Sequence, residues 1–370
     1  MNQLISEAEV QQRVNSNVVV QDGIMNALDI YGNANFVRED EYINGIIADF
    51  TLVTDGMIKA IIECKAGNIN VTDYVRGIGQ LFQYEYFMEQ KIAHKSFEYS
   101  DDFATIYFFP SSVLKTNTFN VGRFKYPETT MILELNETNN AVRKITHKEL
   151  LEMKEAEDDN LVTISQYYFR DNRLFEYYIL LKYLLFIDQM GYEKCDRTSV
   201  ENGFLKKIET INNGNWRNAF ITLSNLGLID NNNMPTEAGK ALALYSYEKY
   251  AVNMYYSYLE PYFKEIYMCF NEKEQIIVSN QEIADVIRRH HNDRDVLYMT
   301  QSEGRYVSSW LNIMRDDFGV IDFQPRNRTR KLIYNPDELN ETTFEKRVKE
   351  NSIAYKYIDR YLSLIQKGEY

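Results

Sequence analysis

Apolar positions recur at helical spacing from about residue 6 to residue 30, and beyond them the period changes to that of strands. Three consecutive stretches, 36–43, 46–53 and 57–65, read as strands, and Asp55-Gly56 is a turn signal between the last two. Helical spacing returns over 71–90 (VTDYVRGIGQLFQYEYFMEQ). A short apolar run at 103–109 (FATIYFF) follows, bounded by Pro110-Ser111-Ser112. The predicted order is helix, three strands, helix, strand.

Around 149–160 (ELLEMKEAEDDN) the chain turns acidic and polar, which places a first domain over 1–150. Strand signals then thin out, and the helix expected at 174–190 (LFEYYILLKYLLFIDQM) is apolar enough to be buried. Two later segments have helix, helix, glycine, hairpin grammar. The first runs through 199–209, 216–226, Gly227 and a hairpin to Pro235-Thr236. The second runs through 280–289, 302–318, Gly319 and a basic wing at 320–334. They predict winged-helix-like domains at 151–245 and 246–370, the latter preceded by a Tyr-rich connecting or dimer-forming helix over about 237–270. The expected fold class is therefore α+β, an N-terminal α/β core followed by mostly α-helical winged-helix domains.

Composition narrows the setting. With 45% apolar and 26% charged residues in 370, the chain can bury more than one core and does not read as disordered. No stretch approaches the ~18 apolar residues of a membrane span and the start lacks a signal-peptide pattern, so a cytoplasmic protein with no membrane partner is expected. Cys64, Cys195 and Cys269 are too few and too widely spaced for a zinc cluster or a disulfide framework. The net charge of −13 runs against nucleic-acid binding, but charge is uneven: 323–334 carries Arg326, Arg328, Arg330 and Lys331 with no acid.

The candidate chemistry lies at Asp49 and at Glu63-Cys64-Lys65. Phosphodiester hydrolysis needs a hard cation held by carboxylate oxygens and a group that positions the attacking water. Asp49 and Glu63 can supply the first and Lys65 the second. Glu63 and Lys65 share one strand face, and Asp49 must join it. A two-residue Asp55-Gly56 turn would set Asp49 opposite Ile62, on the wrong face. A three-residue Thr54-Asp55-Gly56 loop with Gly56 left-handed sets it opposite Ile61, diagonal to Glu63, and is the expected connection.

Asp49 followed by Glu63-x-Lys65 on the next strand resembles the PD-(D/E)xK nuclease superfamily, with Ala48 where proline is common. Gly79-Gln80-Leu81-Phe82-Gln83-Tyr84 resembles the QxxxY element of its restriction-type members, whose Gln80 would touch the scissile region. The resemblance covers roughly residues 1–120. It implies a restriction-endonuclease-like core, a mixed sheet flanked by helices, with Mg²⁺ (or Mn²⁺) held by Asp49, Glu63 and the Cys64 backbone carbonyl. It also implies an acidic residue on the first helix, for which Glu9 is the candidate.

For reading DNA, Gln301, Ser302, Arg305 and Tyr306 stand at the start of the expected recognition helix. Arg326, Arg328, Arg330 and Lys331 form its wing, and Trp216 and Arg217 are the counterpart in the first module. His290-His291 read as surface or DNA-facing rather than catalytic. The expected activity is Mg²⁺-dependent, site-specific cleavage of double-stranded DNA by a homodimer. Two alternatives stay open: a DNA-binding regulator with a decayed nuclease domain, and a regulated anti-phage effector nuclease.

Overall fold

A computed structural model describes residues 4–42, 45–90, 92, 94–115, 118–272, 276–277, 279–298, 305–324 and 329–370. Gln301, Ser302, Arg326 and Arg328 lie outside the described residues. The chain divides into two compact units, 1–155 with 236–238, and 156–235 with 239–370.

The first unit opens with α1 (Glu7–Ser16), started by a capping box in which Ser6 and Glu9 satisfy each other's backbone amides. Asn17 ends it and caps α2 (Val18–Ala27) through its side-chain oxygen. Then come β1 (Asn35–Glu41), β2 (Ile47–Thr54), β3 (Met57–Cys64), α3 (Val71–Glu89), β4 (Glu98–Pro110), the single turn α4 (Ser112–Lys115), β5 (Thr130–Leu135), β6 (Val142–Ile145) and α5 (His147–Asp158). The six strands form one sheet in sequence order. Its pairings are antiparallel for β1–β2–β3, parallel for β3–β4–β5 and antiparallel for β5–β6. Parallel pairing of β3 with β4 requires a crossover, and α3 provides it.

Helices cover both faces. Val10, Val14, Val20 and Ile24 of α1 and α2 pack with Phe50, Leu52, Ala60, Ile62 and Cys64. Tyr74, Ile78, Leu81, Tyr84 and Phe87 of α3 pack with Ile61, Tyr107 and Phe109 on the other face. The unit is the expected α/β arrangement, a mixed sheet between helices. β5 and β6 extend it beyond the predicted last strand.

The β2–β3 connection corrects the predicted loop. Asp55 and Gly56 both have positive φ, 50° and 78°, and Thr54 pairs with Met57, so the turn has two residues rather than three. An Asp-Gly pair enters the left-handed region at little cost, and two such residues match the twist of the flanking strands. The register changes further along. Val53 pairs with Ile58 but Leu52 with Ala60, so Lys59 is an extra residue on β3. Phe50 then pairs with Ile62, and Thr51, not Asp49, faces Ile61. The paired register ends at Phe50–Ile62, one residue short of Asp49 and Glu63.

The second unit is mostly helical. It holds α6 (Leu174–Gln189), α7 (Arg197–Asn202), a 3₁₀ turn (Leu205–Ile208), α8 (Trp216–Asn225), α9 (Glu237–Leu244), whose first two residues group with the first unit, and α10 (Tyr247–Met254). A π turn joins α10 to α11 (Glu260–Glu272), after which come β7 (Ile276–Ile277), α12 (Asn280–His290) and α13 (Arg305–Ile313). A second π turn (Met314–Phe318), β8 (Ile321–Asp322), β9 (Arg330–Leu332), α14 (Glu341–Asn351) and α15 (Ala354–Gln366) complete it. The three short strands form an antiparallel sheet in the order β7-β9-β8. Gly227 and Gly319 take positive φ after α8 and the second π turn, as the sequence pattern expects of helix-ending glycines. The Tyr-rich stretch is two helical runs, and Tyr250, Tyr255, Tyr258 and Tyr262 are buried inside the unit. Among the described residues no helix is long and apolar enough to cross a membrane.

Candidate active site

The site forms where β2 and β3 part. Their ladder ends at Phe50–Ile62, and the Cys64 amide donates to Asp49 Oδ2 at 2.7 Å instead of to the partner backbone. Glu63 and Lys65 project toward α3. Lys65 Nζ donates to Glu63 Oε1 at 2.6 Å, and the Tyr84 hydroxyl to Glu63 Oε2 at 3.1 Å. Both charged residues are nearly enclosed, Glu63 at 3% and Lys65 at 7% exposure. Room for Lys65 comes from Gly77 of α3, where a Cβ would lie 2.5 Å from Lys65 Cε and 2.5 Å from the Tyr107 hydroxyl. That hydroxyl donates to the Tyr74 carbonyl at 2.7 Å and fixes the helix against the sheet.

Burial dominates the electrostatics. It pushes Glu63 up to about 7, against the pull of Lys65 and with a further push from Asp49. Burial also raises Asp49, while the Cys64 amide and Lys65 act to lower it. Burial opposes the charge on Lys65, but the Glu63 carboxylate, with the fields of Glu7 and Asp49, outweighs it and holds the ammonium above the ordinary lysine value. Lys65 is therefore a charged donor, suited to orienting water and stabilising a developing anion rather than taking a proton.

Buried Glu63 and half-buried Asp49 offer carboxyl oxygens, the ligands a hard cation takes, beside one ammonium. This donor set fits magnesium in kind. Among the described residues no three His, Cys, Asp or Glu side chains converge as a metal-holding group, and Asp49 and Glu63 supply two carboxylates. The contact Cys64 makes with the pair runs through its N–H, and its side chain packs into the core under α1 and α2.

The acidic residue of the first helix that bears on the site is Glu7 rather than Glu9. Glu9 is exposed and spends its carboxylate on Ser6. Glu7 is half-buried and raised by burial, drawn down by Lys65 and pushed up by Asp49 and Asp73. One turn further on, Gln11 Nε2 donates to Asp49 Oδ1 at 2.9 Å. The sequence reading missed Gln11. Its only signal was a polar position one helical turn after Glu7 on the same face. Gln80 is half-buried on α3, and Tyr84, one turn after it, is the member of that element that reaches a carboxylate.

Of the residues expected to read DNA, Trp216, Arg217, Arg305, Tyr306, Arg330 and Lys331 are among the described residues. Trp216 is 2% exposed, its indole N–H given to Asn213 Oδ1, so it belongs to the core of the second unit; Arg217 beside it is exposed. Arg305 opens α13. Tyr306 is half-buried, its hydroxyl taking a hydrogen bond from Tyr168 at 3.0 Å, and Ser309 one turn on donates to Asp171. Tyr306 and Ser309 of α13 thus contact the segment bearing Tyr168 and Asp171. Arg330 donates to Asn280 at 2.7 Å and lies over the Phe323 ring, whereas Lys331 is exposed. His290 and His291 face Glu272 and Glu265 of α11. No known protein family, curated protein or solved structure matches this chain.

Proposed function

We propose that the protein is a metal-dependent endonuclease of the PD-(D/E)xK type that hydrolyses phosphodiester bonds of double-stranded DNA. The observation that carries this reading is that the Asp49 carboxylate accepts from the amide of Cys64, the residue after Glu63, while Lys65 is ion-paired to Glu63. Asp49 and Glu63 would hold Mg²⁺, or Mn²⁺ in its place, which when bound supplies Lewis-acid stabilisation of the charge developing on the phosphate. Lys65 donates to the attacking water or to a phosphate oxygen, and Tyr84 keeps the Glu63 carboxylate turned toward the site.

DNA would be read by the second unit. The order α11, β7, α12, α13, β8, β9, with sheet order β7-β9-β8, supports a winged-helix reading of its C-terminal part. With Tyr306 and Trp216 engaged internally, phosphate contacts fall to exposed Arg217 and Lys331. A double-strand cut by one active site per chain implies a homodimer.

A second reading is a DNA-binding protein without catalysis. It is favoured by the fact that all four oxygens of Asp49 and Glu63 accept hydrogen bonds from the protein itself. Incubation of the purified protein with phage DNA and Mg²⁺ separates the two. Discrete fragments are expected, and Asp49→Ala, Glu63→Ala and Lys65→Ala should each lower cleavage by at least roughly 100-fold while leaving the fold intact. Parental rates in these variants would refute the nuclease reading.

A further inference from the structure

We infer that Gln11 is a positioning residue for the Asp49 carboxylate, an inference that rests on the metal-dependent reading above and adds a residue that the sequence motif does not contain. The side-chain amide of Gln11 donates to Asp49 Oδ1 at 2.9 Å while the Cys64 amide donates to Oδ2 at 2.7 Å. One donor on each oxygen fixes the plane and rotation of the carboxylate. Each carboxylate oxygen offers two lone pairs, so one bond apiece leaves the second pair of each for a cation.

The orientation of the amide is itself determined. Arg38 approaches Gln11 Oε1 with a guanidinium nitrogen at 3.4 Å, and because a guanidinium only donates, the oxygen of Gln11 must face it. The NH₂ group is thereby turned to Asp49. The platform is stiff as well. Val10 and Val14, the neighbours of Gln11 on α1, are fully buried, and Arg13 ties the helix to the Glu137 carbonyl at 3.1 Å and to Asn140 Oδ1 at 2.8 Å. The arrangement is a relay from Arg38 on β1 through Gln11 on α1 to Asp49 on β2. It adds a second anchor to a carboxylate otherwise held by the Cys64 amide alone.

Groups that orient metal ligands in this way typically change metal affinity by roughly 10–100-fold when removed. Gln11→Met keeps the length and the packing but loses the donor. Arg38→Met keeps Gln11 but frees its amide to flip. Mn²⁺ binding to the full-length protein is followed through the free-ion electron paramagnetic resonance signal, alongside the Mg²⁺ dependence of plasmid cleavage.

The expected result is Mn²⁺ affinity about 10-fold or more weaker in Gln11→Met and several-fold weaker in Arg38→Met. The Mg²⁺ concentration for half-maximal cleavage should rise in step, and the rate at saturating Mg²⁺ should stay within a few-fold of the parent. Gln12→Met, on the exposed side of α1 where Gln12 bonds Ser16, is the control and should bind Mn²⁺ as the parent does. A merely structural role would lower the melting temperature and leave Mn²⁺ affinity alone. Parental affinity in both Gln11→Met and Arg38→Met overturns the inference while leaving the nuclease reading in place. A parent that neither binds Mn²⁺ nor cuts DNA overturns both, and the parent alone decides that outcome.

Discussion

At the scale of single residues, the site is a balance between burial and pairing. Glu63 is the clearest case, a carboxyl that burial lifts to about 7 even with an ammonium at 2.6 Å. Its folded value exceeds its ordinary value of 4.5, so between about pH 4.5 and 7 the folded protein holds a proton that the unfolded chain has released. The stabilisation from that proton is complete below 4.5 and is lost as pH rises through 7. In metal-free buffer the parent should therefore lose roughly 1–3 kcal/mol across this window from Glu63. Buried Asp317 of the second unit, also raised to about 7 by burial, adds a loss of the same sign. Glu63→Gln should flatten part of the slope. Melting temperatures of both proteins from pH 4 to 8 check this, and equal slopes would show that burial of Glu63 is not what raises it.

At the scale of elements, the β2–β3 hairpin decides whether there is a site at all. The turn and the bulge do separate work: Asp55-Gly56 closes the hairpin, and Lys59 shifts the register so that Phe50 and Ile62, the residues beside Asp49 and Glu63, pair. Side chains alternate in a strand, so without the extra residue Asp49 would face Ile62, and Glu63 would sit on the other face. The Lys59 side chain is held by Ser100 and Asp102 of β4, at 2.8 and 2.7 Å, which pins the extra residue from the neighbouring strand. Gly56→Ala isolates the turn from the bulge. Its φ of 78° is strained for any side chain, yet nothing lies within 4 Å of the added carbon, so the cost is backbone strain alone, about 1 kcal/mol or somewhat more. Thermal unfolding should show a drop of about 2–4 °C, with cleavage at 25 °C within a few-fold of the parent because the bulge still sets the register. Loss of cleavage without loss of stability would show that the turn itself aligns the carboxylates.

At the scale of the whole molecule, a chain of net charge −13 would bind DNA, as proposed, only through local positive groups. Arg217→Glu should weaken binding to specific and random duplexes alike and reduce its salt dependence. Tyr306→Phe should bind as the parent does, because half-buried Tyr306 takes a hydrogen bond from Tyr168 within the second unit and serves its packing. Binding isotherms with metal omitted, over a salt series, test both; a loss of sequence preference in Tyr306→Phe would restore α13 as the reading element. By itself the sequence determined the α+β order of the first unit, its helix–strand–strand–strand–helix–strand start, the helical second half, and Asp49, Glu63 and Lys65 as the candidate chemistry. Those follow from local periodicity and from side-chain chemistry, which are written along the chain. It did not reveal β5 and β6, the bulge at Lys59, the turn of α1 that brings Glu7 rather than Glu9 and also Gln11 to Asp49, or the burial of Trp216 and the covering of Tyr306. Only the tertiary structure decided these. A one-residue register shift leaves the local pattern of polar and apolar residues unchanged, and whether a helix face is open depends on a segment more than a hundred residues away, such as the one carrying Tyr168.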